Sequence, residues 1–356
     1  MRGAIIYFGF NDPRQFKRGV ENVIFTQASA QPLLSRYYVC VGNEIGAFKW
    51  NGIACISLRP GILAYLIANV IIWKIGKKHK EGGLIIHSHN YLFSFFSVRC
   101  TDFFSVHDGL CYLKKNFGAR GPKLFIFALI ERIVYFRTKR IHFISGFARS
   151  QALVGRHSIG KSIVIPNTSS LESFSKTLKQ EPKKTCDRFI LTVRSIEERA
   201  GLKLLIDVAS AMKDTWPNVN FKVAGKGPML EFYRNQIKER NIDNIEFLGF
   251  ISDHELCRLY QTCQLVLIPS LYGEGFGLPV IEGYLFNKPV IASNVCAIPE
   301  VIAEKRFLFD NRKDSVVEKI EMVFTEQFSD YRFNEYYTKN FSHQKILREY
   351  HQLYSQ

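Results

Sequence analysis

The chain is 356 residues long, 47% hydrophobic and 22% charged, with a formal net charge of +16 at pH 7. That length exceeds what one hydrophobic core usually supports, so two domains are expected. The longest apolar run, 62–73 with one asparagine, is 12 residues, short of the ~20 that cross a bilayer, and the start of the sequence has no signal-peptide pattern. Eight cysteines without a Cys-x-x-Cys pair read as reduced, mostly buried thiols in a cytosolic protein.

In chain order, short apolar and β-branched stretches predict strands at 4–8, 37–41, 84–86, 103–106, 141–144 and 163–165, with helical stretches between several of them. This alternation argues a parallel sheet with helices on both faces. His87 and His89 bracket Ser88 at the end of the third of these strands, and His107-Asp108 follows the fourth. A strand-end His-x-His without a nearby third ligand reads as structural or as part of a substrate pocket, so no metal is assigned. The stretch 171–187, with Ser, Lys, Glu and Pro and few large apolar residues, reads as a linker after a first domain over 1–170. The same rhythm resumes over 188–335, which gives two Rossmann-like, doubly wound domains with a cleft between them. The Tyr-rich end of the chain reads as terminal helices.

Residues 1–171 hold 23 lysines and arginines against 7 acids, whereas the remainder holds 25 of each. The whole excess therefore sits on the first domain. Nucleic acid and an anionic membrane surface are the two partners such a field favours. Basic and large apolar residues interleave in Tyr112-Leu113-Lys114-Lys115-Asn116-Phe117, Lys123-Leu124-Phe125-Ile126-Phe127 and Arg132-Ile133-Val134-Tyr135-Phe136-Arg137. These read as basic amphipathic helices at a membrane surface, or as core helices with a solvated basic face. No nucleic-acid-binding module is recognisable.

In the second half, Gln264-Leu265-Val266-Leu267-Ile268 has the character of a buried parallel strand, broken by Pro269-Ser270-Leu271-Tyr272-Gly273. Next comes Glu274-Gly275-Phe276-Gly277-Leu278-Pro279-Val280-Ile281-Glu282, two carboxylates around a glycine turn and a helix start. Pro279 suits the first helical position because it has no N–H to lose. The free N–H groups of Phe276, Gly277 and Leu278 make a ready anion site at a helix N-terminus. A diphosphate there leaves Glu274 and Glu282 on either side to accept hydrogen bonds from hydroxyls. The arrangement suits a nucleotide sugar.

Glu274 to Glu282 resembles the Glu-x7-Glu signature of retaining GT-B glycosyltransferases, in particular glycosyltransferase family 4. Val223-Ala224-Gly225-Lys226-Gly227-Pro228 resembles the family's strand with its Gly-x-Gly-Pro loop, and the resemblance runs from about 189 to 301. It implies a GT-B fold whose last segment, 336–356, is a helix crossing back to the first domain. It also implies that Glu274 contacts the hydroxyls of the transferred sugar, Glu282 the ribose, and the backbone at Gly277 and Leu278 the phosphates. The family's basic pair, an Arg and then a Lys-Gly, falls on Val193-Arg194-Ser195-Ile196-Glu197-Glu198-Arg199-Ala200-Gly201, where alanine stands at the lysine position. Arg194 and Arg199 are the candidates to supply both charges. Gly19, in Arg18-Gly19-Val20-Glu21, stands where the family has a Gly-Gly loop near the phosphates, and His107 matches a histidine near the sugar. Asn167 matches a Pro-Asn turn.

No two aspartates are two residues apart, so a protein-only site without metal or other cofactor is expected. The reading that follows is a retaining transferase, cytoplasmic and peripheral on the cytoplasmic face of the membrane. It moves a sugar from a UDP- or GDP-sugar to a lipid-linked or membrane-proximal saccharide acceptor in surface polysaccharide (O-antigen or capsule type) biosynthesis. A GT-B-fold epimerase or phosphorylase is the alternative. A nucleic-acid-binding protein would account for the charge but gives Glu274 and Glu282 no use.

Overall fold

In the first half, β1 (Ala4–Phe8), β2 (Ser35–Val41), β3 (Gly46–Trp50), β4 (Ile53–Leu58), β5 (Leu84–Ser88), β6 (Phe103–Val106), β7 (Arg140–Phe143) and β8 (Ser162–Val164) form one sheet. Their order is β3-β4-β2-β1-β5-β6-β7-β8, parallel except for the β3–β4 pair. Side chains alternate across a strand. Ile5 and Tyr7 therefore join Tyr38 and Cys40 on one face, under the helix Val20–Ser29 and Tyr354. Ala4, Ile6 and Phe8 pack on the other face with Ala64, Ala68 and Ile72 of the helix Ile62–Lys78, and with Phe93. With both faces covered, β1 reads as a continuous apolar run rather than an alternating one.

This is a computed structural model, and it describes residues 3–15, 19–116, 118–176, 188–326, 328 and 331–355. The chain divides into two units, Met1–Asn167 with Ile346–Gln356, and Thr168–Lys345. In the second unit β9 (Arg188–Val193), β10 (Val219–Ala224), β11 (Ile245–Gly249), β12 (Leu265–Ile268), β13 (Val290–Ser293) and β14 (Leu308–Phe309) form a parallel sheet in the order β11-β10-β9-β12-β13-β14. That is the strand order of a dinucleotide-type Rossmann fold.

Three differences from the sequence reading have physical reasons. The β3–β4 hairpin goes unannounced because β3 is largely exposed and lacks an apolar run. Its turn, Asn51-Gly52, has φ of 47° and 76°, the left-handed pair that tight hairpins need. The expected linker 171–187 opens with a helix, Leu171–Ser175, whose Leu171 is fully buried in the second unit; 177–187 lie outside the described residues. The terminal helices are Phe333–Phe341 and His343–Ser355, and the one expected to start at 336 starts at His343, after a break at Ser342. The first keeps Phe333 and Tyr337 in the second unit, while the second packs Ile346, Tyr350 and Leu353 in the first unit against Phe103 and Ile165.

Candidate functional site

The second unit's strand order reverses between β9 and β12, and open α/β sheets bind ligands at the carboxyl ends of the strands flanking such a reversal. Arg194 is the first residue after β9, and its N–H continues the ladder to the carbonyl of Ala224 at 3.0 Å. The loop it begins is clamped by absent side chains. A Cβ on Gly225 would fall 1.8 Å from the Arg194 carbonyl oxygen, and one on Gly201, at φ 72°, 1.6 Å from that of Pro269 at the end of β12. Neither approach tolerates a larger residue.

The fold brings Arg194 and Glu274 together across 80 residues, Nη1 donating to Oε2. The guanidinium is 7% and the carboxylate 14% exposed, so both charges are largely desolvated and each depends on the other. Arg194 Nε is buried with no hydrogen-bond partner among the described residues. Arg199 lies in the same loop. It donates from Nη1 to the carbonyl of Gly273 at 2.7 Å and from Nε to Glu197 at 2.8 Å, bracing the turn that presents Glu274. The Arg199 hydrogen bond in turn holds the Glu197 carboxyl below its ordinary range.

Gly277 caps the helix Leu278–Leu285 at φ 101°, with Pro279 in the first turn. Among the described residues, no backbone hydrogen bond leaves the N–H of Phe276, Gly277 or Leu278. The aromatic ring of Phe276 is buried, 6.0 Å from that of Phe341, so this residue offers its backbone only. One turn into the helix, Glu282 is buried and accepts from the Tyr260 hydroxyl at 2.9 Å and, at 3.4 Å, from the Ser169 hydroxyl.

The remaining two candidates belong to the first unit. Gly19 caps the helix Val20–Ser29 at φ 85°, with open space where a Cβ would stand; Arg18 lies outside the described residues. Two residues into that helix Glu21 is buried, accepts from Asn11 at 3.2 Å, and is pushed up to about 7 by its burial. His107, at the end of β6, places Nε2 2.9 Å from Nδ1 of His89. Burial pushes its pKa down to about 3, and that of His89 well below the ordinary imidazole value. Among the described residues no group of three or more His, Cys, Asp or Glu side chains is placed to hold a metal ion.

Several partners escape a reading of the sequence. Tyr260 and Ser169 stand 22 and 113 residues from the carboxylate they hold. Gln27, on the far side of His89, has no motif around it at all.

The class these features define is an α/β protein of GT-B fold, built from two Rossmann-like units. Among solved structures, sucrose-phosphate synthase from Thermosynechococcus elongatus superposes with a TM-score of 0.77 at 15% identity, covering 100% of this chain and 98% of that one. Anabaena Alr3699/HepE in complex with UDP and glucose superposes with a TM-score of 0.73 at 16% identity, covering 99% of each. At this identity the likeness is one of fold.

Residues 173–340 match the family model for glycosyl transferases group 1. The uncharacterized glycosyltransferase MJ1178 of Methanocaldococcus jannaschii is 34% identical over 116 residues, 33% of this chain and 31% of that protein. The serotype-specific mannosyltransferase WbdA of Escherichia coli is 32% identical over 154 residues, 41% of this chain and 18% of that protein. The O-antigen chain mannosyltransferase C of Escherichia coli is 32% identical over 110 residues, 31% of this chain and 28% of that protein. The aligned stretches thus span less than a third of the length of these three relatives.

Proposed function

We propose that the protein is a retaining glycosyltransferase of the family 4 type, which moves a sugar from a nucleoside-diphosphate donor to a lipid-linked or membrane-proximal saccharide acceptor. One observation carries the reading: a largely desolvated Arg194–Glu274 pair stands at the strand reversal, and Glu274 shares its segment with three backbone N–H groups at a helix start that, among the described residues, meet no backbone acceptor. A diphosphate needs the N–H groups and the cation, because its charge grows as the glycosidic bond breaks. The sugar hydroxyls need the carboxylate. Glu282, held by Tyr260, takes the ribose. No metal or other cofactor is required by this donor set. The mannosyltransferase relatives support a role in surface polysaccharide assembly.

The acceptor side is read from the first unit. Ile62, Leu63, Leu66, Ile67, Val70 and Trp73 are exposed along the helix Ile62–Lys78, whose last turn carries Lys77 and Lys78. The helix Gly121–Arg137 likewise exposes Phe125, Ile126, Leu129 and Phe136. The short helix Tyr91–Phe96 packs between them, so both apolar stripes lie on one side of the sheet. Apolar stripes with basic residues at their ends fit an anionic bilayer surface. No helix among the described residues is long and apolar enough to cross a membrane. The reading places the enzyme on the cytoplasmic face.

The test is a screen of UDP- and GDP-sugars for thermal stabilisation, followed by transfer to a membrane extract. Stabilisation by one class and incorporation of its sugar into lipid-extractable material are expected. Sugar isomerisation without acceptor, or no stabilisation by any nucleotide sugar, would remove the reading.

A further inference from the structure

Under the helix Val20–Ser29 a chain of hydrogen bonds runs from β7 to His107, entirely within the first unit, and its direction is determined at every link. His142 Nε2 lies 2.9 Å from the carbonyl oxygen of Ile165. A carbonyl only accepts, so Nε2 carries the proton, and in the neutral ring Nδ1 is then an acceptor. Burial keeps this ring neutral, with its pKa down to about 4. Ser105 Oγ, 2.8 Å from that Nδ1, must spend its single proton there. It therefore accepts from its two other neighbours, His87 Nε2 at 2.8 Å and Gln27 Nε2 at 2.9 Å.

The Gln27 amide cannot be reversed, because Ser105 has no second proton to give. With its nitrogen toward Ser105, its Oε1 faces His89 Nε2 at 2.9 Å, so that nitrogen is protonated. His89 Nδ1 is then an acceptor, and His107 Nε2, 2.9 Å away, must donate to it. His107 is left neutral, with its proton on Nε2 and a lone pair on Nδ1. Among the described residues that nitrogen has no partner.

We propose that Gln27, Ser105, His89 and His142 form a positioning relay that locks His107 in the tautomer whose free Nδ1 accepts a hydrogen bond, so that it selects a substrate hydroxyl acting as donor. This rests on the reading of His107 as a sugar contact. A site of this polarity favours a sugar with a free hydroxyl at that place and rejects one whose oxygen is methylated, since the methylated oxygen has no proton to give. The four relay residues touch no substrate; they act through His107.

The test is long-range 1H–15N NMR of the full chain labelled at histidine, with the His107 ring assigned by its loss in His107→Gln. At pH 7.5 the wild type is expected to have His107 protonated on Nε2 only. His89→Asn keeps an acceptor facing His107 and retains that tautomer; His89→Leu removes it and gives a mixture. In transfer assays His89→Leu is expected to lose about tenfold in kcat/KM, the scale of one directed hydrogen bond, and His89→Asn to recover most of that loss. A wild-type His107 protonated on Nδ1 or on both nitrogens overturns the proposal. So does an unchanged tautomer in a folded His89→Leu. Should that variant not fold, Gln27→Met is read in the same way. Lack of transfer by the wild type, with the tautomers as stated, would overturn the functional reading and leave the relay standing.

Discussion

The Tyr260 hydroxyl donates to Oε2 of Glu282 at 2.9 Å, linking the helix Asp253–Thr262 to the carboxylate 22 residues later. Glu282 is buried on a helix whose start is a candidate phosphate site, so its orientation is a condition for holding a ribose. Tyr260→Phe removes one proton and little volume. It is expected to cost about 1–3 kcal/mol of stability, the penalty for under-satisfying a buried acceptor, and to weaken nucleotide-sugar binding severalfold with little change in kcat. Urea melts and calorimetric titration with the preferred nucleotide sugar measure the two effects. Unchanged affinity would detach Glu282 from the ribose.

Removing either member of the Arg194–Glu274 pair leaves a largely desolvated charge alone, which costs up to about 3 kcal/mol when nothing replaces the partner. The clean probe is Glu274→Gln, which keeps an acceptor oxygen and the side-chain volume. We expect transfer to fall by about 100-fold or more, the scale of losing one preorganised electrostatic group, in a protein that still binds nucleotide. Glu282→Ala is expected to raise KM for the sugar donor more than it lowers kcat. Near-normal turnover in both would remove the site assignment.

The buried titratable groups of the first unit make stability depend on pH in two opposite senses. Burial lowers the pKa of His87, His89, His107 and His142 below the ordinary 6.5. As pH drops below 6.5 the unfolded chain binds protons that the folded one refuses, so stability falls. Burial raises Glu21 from 4.5 to about 7. Its contribution is present below 4.5 and is lost as pH rises through 7. Glu21→Gln is therefore expected to be more stable than wild type at pH 8, by about 3 kcal/mol, with the gap closing toward pH 4.5. Thermal melts across this range decide it; a pH-independent gap would show Glu21 ionised in the fold.

The exposed apolar stripe of the helix Ile62–Lys78 predicts association with anionic vesicles. A double variant, Leu66→Glu with Ile67→Glu, places two acids on a solvent-facing surface and leaves the core residues Ala64, Ala68 and Ile72 untouched. It is expected to lose most of its co-sedimentation with phosphatidylglycerol vesicles while melting like the wild type. Equal binding by wild type and variant would move the contact elsewhere.

What could be read from the sequence was what local chemistry determines. The strands over 4–8 and 103–106 are visible because a strand buried on both faces must be apolar throughout, and both fall where expected. The turn from Glu274 to the helix start is visible because glycine, proline and acid each have a positional reason there. In the hairpin of β3 and β4, β3 faces solvent and has no apolar run, so only the turn Asn51-Gly52 and the short apolar run of β4 signal the pair. Nothing local marks Tyr260 or Ser169 as partners of Glu282. The His107 relay is less legible still: three strands and a helix supply it, and Gln27 meets Ser105 across 78 residues. Such groups are united only when the sheet order brings β5, β6 and β7 side by side.

The outer strands of the first sheet bear on how the protein behaves at high concentration. A sheet border offers unpaired backbone groups to any passing chain. Here one border is β3, antiparallel to its neighbour, with Lys49 pointing into solvent; the other is β8, only three residues long. Neither makes a good template for strand addition. A unit that displays so much apolar helix surface is thereby kept from polymerising through its sheet, and its stickiness is confined to the side that the proposed bilayer would cover.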